Sequence, residues 1–125
     1  MVVGVGSDVL DVARMRRELA RPGHGFRDDV FTPREIAYCQ SQRYPARHYA
    51  ARFAAKEALF KALRDGANPA AAWREAEVIR GESGAPSLAL HGSLGRLARR
   101  RRIKRVLVSL SHTATVAMAS VVLEA

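Results

Sequence analysis

A glutamate lies on the apolar side of a predicted helix in the segment RFAAKEALFKAL, residues 52–63. At about 100° per residue, Phe53 and Phe60 fall close together on one side of this helix, and Glu57 lies between them. An ionised carboxylate beside aromatic rings is costly unless a cation or hydrogen-bond donors compensate it. A compensated charge at the edge of a core is typical of a functional site. Alternatively, Glu57 forms an internal ion pair with Lys61, four residues later.

A second carboxylate, Asp8, stands in the apolar and glycine-rich segment that is predicted as the first strand. It shares a face with Gly4 and Gly6, which leave room for a ligand or for another backbone. An aspartate near a strand end also caps turns, and this is the structural alternative. Mg²⁺ takes one or two carboxylates and completes its shell with water and phosphate oxygens. Asp8 and Glu57 therefore predict a divalent-metal and phosphate site, with cations on the same helix: Arg52, Lys56 and Lys61.

The elements that position these carboxylates are predicted from periodicity, capping residues and turn residues. Strands are expected over residues 2–10, 75–80, 87–91, 105–111 and 116–124. Helices are expected over residues 12–20, with Asp11 as the cap, from Thr32-Pro33 to about 41, over 46–64 and over 93–102. This order predicts an α+β fold: one domain over residues 1–125, with a mainly antiparallel sheet and helices packed on one side.

Composition narrows the class of protein. The chain has 125 residues and a formal net charge of +9, which favours anionic partners such as phosphates, nucleic acids or acidic proteins. No apolar run approaches the length of a membrane span, so no membrane contact is expected. The single cysteine, Cys39, excludes an internal disulfide and favours a cytoplasmic setting.

Two segments resemble the signatures of a known family. GVGSDVLDVARM at residues 4–15 and RFAAKEALFKAL at 52–63 are similar to the two motifs of the holo-acyl-carrier-protein synthases, the small bacterial type of 4′-phosphopantetheinyl transferase. SGAPSLALHG at 83–92 and VSLSHTATVAMASVVLE at 108–124 resemble its later segments, in the same order. The resemblance implies a 4′-phosphopantetheinyl-transferase-like fold. It also implies transfer of phosphopantetheine from coenzyme A to a serine of apo acyl carrier protein, with release of adenosine 3′,5′-bisphosphate.

The resemblance also implies roles for individual residues. Asp8 and Glu57 would be the Mg²⁺ ligands, and Glu57 would act as the base for the serine hydroxyl, directly or through a metal-bound water. Lys61 would support the transferred phosphoryl group or the pyrophosphate. The remaining contacts to coenzyme A are expected from Arg52, Lys56, Gly66 and His112, where Gly66 is the one remnant of the family's glycine-rich loop. Arg52 and Lys56 are alternatively solvated helix charges.

The expected partners follow from the same resemblance. Acyl carrier proteins are acidic, and docking is expected through the first helix, with Arg14 and Arg21 as the contact residues. Family members assemble as homotrimers with active sites between subunits. The apolar hairpin over residues 116–123 would pack either in such a trimer or in the monomer core. Fatty-acid synthesis is the default pathway, and Mg²⁺ is not distinguished from Mn²⁺.

Two other classes of function compete with this interpretation. The arginine run over residues 99–102 fits a nucleic-acid-binding module, but the chain has no recognisable nucleic-acid-binding motif, and no nucleic acid is expected as a partner. Such a module would also leave Asp8 and Glu57 unexplained. The run is alternatively a solvated helix end, where cations are favourable. A catalytically idle scaffold that binds the carrier protein is the third possibility.

Overall fold

The computed structural model describes residues 1–23, 25–64 and 72–125. Its strands are β1 (Val2–Asp11), β2 (Ala76–Arg80), β3 (Pro86–Leu90), β4 (Arg105–His112) and β5 (Val116–Glu124). Its α-helices are α1 (Val12–Ala20), α2 (Phe26–Val30), α3 (Pro33–Gln40), α4 (Pro45–Leu63) and α5 (Gly92–Arg100), and a short 3₁₀ turn covers Trp73–Glu75. None of these helices is long and apolar enough to cross a membrane. The predicted α+β class is confirmed.

The strands form two sheets in the described part of the chain, where the sequence predicts one. β1, β5 and β4 form an antiparallel sheet with β5 in the centre, and β2 and β3 form a separate antiparallel hairpin. Strand pairing within a hairpin is local, whereas pairing between hairpins depends on how the helices separate them. The sequence pattern therefore predicts the strands more closely than their distribution between sheets.

Two local predictions are corrected. α2 lies between the helices predicted over residues 12–20 and from Thr32, where the sequence predicts no helix, and it begins after Gly25, whose φ of 68° is accessible to glycine at little cost. Asp11 occupies the N-cap position of α1, but its side chain makes no capping hydrogen bond. The helix predicted from Thr32-Pro33 is α3, and a capping box opens it, in which the Thr32 and Glu35 side chains each accept a hydrogen bond from the other residue's backbone N–H.

Helix α4 lies directly on β1 because β1 has glycine at the two contact positions. A Cβ atom placed on Gly6 would be 1.9 Å from the Ala58 carbonyl oxygen, and one on Gly4 would be 2.4 Å from the Ala62 carbonyl oxygen. The glycine face of β1 thus meets another backbone, which is one of the two alternatives that the sequence left open. This close approach brings the middle of α4 to the strand that carries Asp8.

We expect Gly6→Ala to destabilise the protein by about 2–3 kcal/mol, because its methyl group must push α4 away from β1. Urea denaturation measures the loss. Gly81→Ala is the matched control, since a Cβ there meets its nearest neighbour at 3.5 Å, an ordinary contact. Equal stability of both variants would contradict the proposed contact.

The opposite face of the three-stranded sheet is apolar and exposed. Val5, Val122 and Leu107 lie in one register row across β1, β5 and β4. Val5 is 61% exposed and Leu107 is 44% exposed. The other exposed apolar residues of this sheet are Val2, Val3, Val9, Val116 and Met118. Helices thus cover one side of the sheet and leave an apolar side facing solvent.

Candidate active site

The two carboxylates singled out in the sequence lie together where α4 crosses β1. Asp8 is on the glycine face of β1, and Glu57 is near the middle of α4. Lys61, one turn after Glu57, donates from Nζ to Asp8 Oδ1 at 3.0 Å and to the Ser7 carbonyl oxygen at 3.0 Å. Asp8, Glu57 and Lys61 form what we call the acidic cluster. Lys61 pairs with Asp8 in the structure, not with Glu57 as the sequence alternative proposed.

The acidic cluster holds two carboxylates and one directly bonded cation. Burial raises the pKa of Glu57, and the charge of Asp8 raises it further, whereas Lys61 and Arg14 act in the opposite direction. In the described residues no group of three or more metal-binding side chains occurs, so the protein offers two carboxylates here. A pair of this kind fits a hard divalent cation that takes its remaining ligands from water and phosphate. The raised pKa also makes Glu57 a better proton acceptor than an ordinary glutamate.

A second site, the cationic pocket, opens between α3, α4, β4 and the β2–β3 hairpin. Its wall includes two residues that the sequence analysis assigned to coenzyme A, Arg52 and His112. The other lining residues are Tyr38, His48, Ala51, Arg80, Gly84, Pro86 and Leu110. Gly84 and Pro86 belong to the SGAP turn that carries part of the family resemblance.

Arg52 is the deepest charge in the cationic pocket. Its side chain is only 4% exposed, and its guanidinium lies over the Tyr38 ring at 4.0 Å. The Nε atom is buried and has no hydrogen-bond partner, and no carboxylate pairs with Arg52 among the described residues. A buried cation without a counter-charge is costly. Arg52 is therefore placed to bind an anionic ligand that enters this pocket.

Two imidazoles form part of the same wall. The rings of His48 and His112 are 4.9 Å apart and nearly perpendicular. Burial, together with the neighbouring His112 and Arg52, lowers the pKa of His48 to about 4. His48 is therefore neutral near pH 7 and can accept a hydrogen bond, while the guanidinium groups supply the positive charge.

Tyr38 and Arg80 are functional candidates that the sequence analysis did not find. Arg80 ends β2 and donates from Nη1 to the Tyr38 phenol oxygen at 2.5 Å. The two residues are 42 positions apart, and no local pattern relates them. The one available signal was position, since Arg80 immediately precedes the Gly81–Pro86 turn.

Lys56 does not line the cationic pocket. It is 0% exposed, and its Nζ donates to Glu35 Oε1 at 2.8 Å, to the Trp73 carbonyl oxygen at 2.9 Å and to the Ala76 carbonyl oxygen at 2.7 Å. All three ammonium protons are thus used inside the protein. We therefore correct the assignment of Lys56 to coenzyme A: this lysine joins α3, α4 and β2, because α3 places a buried carboxylate against it.

The acidic cluster and the cationic pocket face different sides of α4. Arg52 and Glu57 are five residues apart, which separates them by about 140° around the helix. Asp8 is in register with Ala119 and, through it, with Leu110 of the pocket wall. These positions are two strand spacings apart, about 10 Å. A single chain therefore presents the acidic cluster and the cationic pocket as two separate sites, at opposite edges of its sheet.

The predicted docking residues Arg14 and Arg21 line a third cavity, which lies between α1, α2 and α4. Its apolar surface comes from Leu10, Met15, Phe26 and Phe53, and Glu18 also lies at its edge. A cationic rim around an apolar floor fits an acidic partner that inserts an apolar side chain. Gly66, the last of the predicted contacts to coenzyme A, lies outside the described residues.

The fold and these sites define the class of protein. The family model of the 4′-phosphopantetheinyl transferase superfamily matches residues 4–117. A holo-acyl-carrier-protein synthase from Anaeromyxobacter sp. (strain K) is 49% identical over 127 residues, which cover 99% of this chain and 97% of the relative. The chain belongs to the holo-acyl-carrier-protein synthase family of this superfamily and is an enzyme of that family.

Solved structures agree with this assignment. The holo-acyl-carrier-protein synthase from Neisseria meningitidis superposes with a TM-score of 0.90 at 30% identity and full coverage of both chains. The enzyme from Helicobacter pylori, solved in complex with coenzyme A, superposes with a TM-score of 0.82 at 27% identity. That comparison covers 96% of this chain and 99% of the other. The resemblance inferred from the sequence motifs is confirmed.

Proposed function

We propose that this enzyme transfers the 4′-phosphopantetheine group of coenzyme A to a serine of apo acyl carrier protein and releases adenosine 3′,5′-bisphosphate. The observation that carries the proposal is the acidic cluster, in which Asp8, Glu57 and Lys61 meet on two different elements. The cationic pocket supports it, because it offers positive charge suited to the phosphates of a nucleotide. The Helicobacter pylori relative binds coenzyme A in its solved structure.

The donor set of the acidic cluster fits Mg²⁺, with Asp8 and Glu57 as the protein ligands. When bound, Mg²⁺ would neutralise charge on the pyrophosphate of coenzyme A. Lys61 is 55% exposed at its side chain and is tethered to Asp8, so its ammonium group stands at the surface beside this site. We assign it to the phosphoryl oxygens of the transferred group.

Glu57 is the proposed base, acting directly or through a metal-bound water on the proton that the serine hydroxyl must lose. The serine oxygen forms a bond to the phosphorus on the pantetheine side of the pyrophosphate. The bond from that phosphorus to the bridging oxygen breaks, and its electron pair leaves with adenosine 3′,5′-bisphosphate. Lys61 would offset the negative charge that spreads over the transferred phosphoryl group.

The acidic cluster and the cationic pocket are too far apart in one chain to act on one ligand group, which supports assembly of a homotrimer, as the family resemblance implies. Each would then be one half of a shared active site. One copy would supply the acidic cluster, and its neighbour would supply the cationic pocket. The exposed apolar sheet face supplies the surface for such an assembly, since an apolar patch of this kind is typical of a protein interface.

We expect Val5→Asp combined with Leu107→Asp to convert the assembly to monomers and to reduce transfer at least about a hundredfold, because charges would be buried in the interface. Light scattering after size exclusion measures the mass. Ala13→Asp, at an exposed position of α1, is the control and should keep the oligomeric mass. A monomeric wild-type enzyme with full activity would refute the assembly.

We propose that the acidic carrier protein docks on the cavity lined by Arg14 and Arg21. Replacing both arginines with glutamate should raise the KM for the carrier protein about tenfold or more and weaken its salt dependence, with little change in the KM for coenzyme A. Arg17→Glu is the matched control, because Arg17 is exposed on the same helix but does not line this cavity. Equal effects at Arg17 would indicate general steering by net charge.

Intact-mass measurement tests the reaction itself. Incubation with coenzyme A, Mg²⁺ and apo carrier protein should add one phosphopantetheine group to the carrier, and chelation of the metal should stop it. The assay compares carrier proteins of fatty-acid, polyketide and peptide synthesis. We expect the fatty-acid carrier to be the substrate and the reaction to take place in the cytoplasm. No addition to any carrier, with retained carrier binding, would indicate an idle scaffold. Tight, salt-sensitive binding of nucleic acid instead would indicate a nucleic-acid module.

A further inference from the structure

Tyr38 lines the cationic pocket and contacts both arginines that line it, Arg52 and Arg80. Arg52 stacks over its ring at 4.0 Å, and Arg80 donates a hydrogen bond to its phenol oxygen. The edge of the Tyr38 ring also meets His48, with the ring centroids 5.7 Å apart. Tyr38 therefore connects α4, through Arg52 and His48, with the end of β2.

This arrangement holds two like charges around one neutral residue. Among the described residues, neither Arg52 nor Arg80 forms an ion pair with a carboxylate. Two guanidinium groups that share a pocket without a counter-charge repel each other. A tyrosine can bind one through the face of its ring and the other through its oxygen. Tyr38 thus keeps the two cations in place before any ligand arrives.

We propose that Tyr38 is a positioning residue that holds Arg52 and Arg80 around a phosphate monoester, so that the enzyme distinguishes coenzyme A from 3′-dephospho-coenzyme A. This inference rests on the proposed function, because it assigns the nucleotide end of coenzyme A to the cationic pocket. A phosphate monoester carries up to two negative charges near neutral pH and can accept hydrogen bonds from both arginines. The phenol oxygen accepts from Arg80 and keeps its own proton, which it can donate to the same phosphate.

The first test is nucleotide binding by calorimetry, with adenosine 3′,5′-bisphosphate and adenosine 5′-monophosphate as probes. Wild type should prefer the bisphosphate. Tyr38→Phe keeps the ring beneath Arg52 and removes the oxygen that fixes Arg80, so the preference should fall about tenfold. Tyr38→Leu also removes the aromatic face, and its preference should fall about fivefold further. Tyr44→Phe and Tyr44→Leu are matched controls, because Tyr44 stacks with Arg47 at 4.0 Å but does not line the pocket.

Kinetics with the assembled enzyme provides the second test. Tyr38→Phe should raise the KM for coenzyme A about tenfold with little change in kcat, and the KM for 3′-dephospho-coenzyme A should stay nearly unchanged. An equal loss with both substrates would show general damage to the fold and would overturn the positioning role. An unchanged preference in Tyr38→Phe would overturn it as well.

The outcomes separate this inference from the proposed function. Transfer of phosphopantetheine without any preference for the bisphosphate would leave the function standing and refute the role of Tyr38. A Tyr38-dependent preference for the bisphosphate without transfer to any carrier would support the role of Tyr38 and refute the proposed function.

Discussion

Replacing Asp8 with asparagine or Glu57 with glutamine is expected to reduce phosphopantetheine transfer about a thousandfold or more. Each change keeps the shape of the side chain but removes one of the two charges that would hold the metal, and Glu57→Gln also removes the proposed base. Initial rates of carrier modification at saturating coenzyme A measure the loss. The two effects should be far from additive, because both residues serve one site.

The matched controls are carboxylates of the same type at exposed positions. Asp11→Asn lies on the same strand as Asp8, and Glu82→Gln lies in the β2–β3 turn. Both should keep nearly full activity, because neither belongs to the acidic cluster. Full activity in the Asp8→Asn, Glu57→Gln double variant would refute the assignment of this site.

Glu57→Gln should be more stable than wild type at neutral pH. Because the pKa of Glu57 is raised in the folded state, the folded protein holds its proton more tightly than the unfolded chain does. The contribution of protonated Glu57 to the free energy of unfolding is therefore present at low pH and is lost as the pH rises through the raised pKa. At pH 7 the charge is a cost in the metal-free protein, so Glu57→Gln should raise Tm when no divalent cation is present. Thermal unfolding of both proteins at pH 4 and pH 7 checks the sign.

Lys56→Met is expected to destabilise the protein by about 3–5 kcal/mol, the largest effect on stability that we predict. The substitution leaves the Glu35 carboxylate buried without its cation, and Glu35 is only 1% exposed. Burial lowers the pKa of Lys56, while the Glu35 charge raises it, so Lys56 depends on Glu35 to remain charged. Urea denaturation followed by circular dichroism measures the difference.

A second substitution distinguishes a lost charge from lost packing. Glu35 also accepts hydrogen bonds from the Thr32 backbone N–H on Oε1 and from the Val78 backbone N–H on Oε2, both at 2.9 Å. Glutamine removes the charge and keeps one of these two acceptors. Adding Glu35→Gln to Lys56→Met should restore about half of the lost stability, because no unpaired charge remains buried. Arg105→Met is the surface control: its 2.7 Å pair with Glu124 is exposed and should be worth at most about 1 kcal/mol. A loss of only about 1 kcal/mol in Lys56→Met would contradict the claim that the buried Lys56–Glu35 pair stabilises the fold.

Local patterns in the chain account for most of the element boundaries. The Thr32–Glu35 capping box, the proline at residue 45 and the alternation in β4 and β5 all act over a few residues, and the structure confirms the elements that they predict. The acidic cluster was also predictable, because a carboxylate on an apolar helix face and one on a glycine-rich strand face are anomalies visible without coordinates. The element boundaries and the two unusual carboxylates could be predicted because they depend only on residues close together in the sequence.

Packing decided what spacing left open. Lys56 and Lys61 lie on one helix and look alike in the sequence. In the structure Lys56 is buried and pairs with Glu35, whereas Lys61 is exposed and pairs with Asp8, because different elements cover the two sides of α4. Tyr38 and Arg80 meet only when the β2–β3 hairpin folds onto α3. The sequence by itself determined the five strands, the described helices other than α2 and the two anomalous carboxylates, since these follow from periodicity and residue type. The cationic pocket and its separation from the acidic cluster came from the tertiary structure, because contacts between distant segments depend on how whole elements pack.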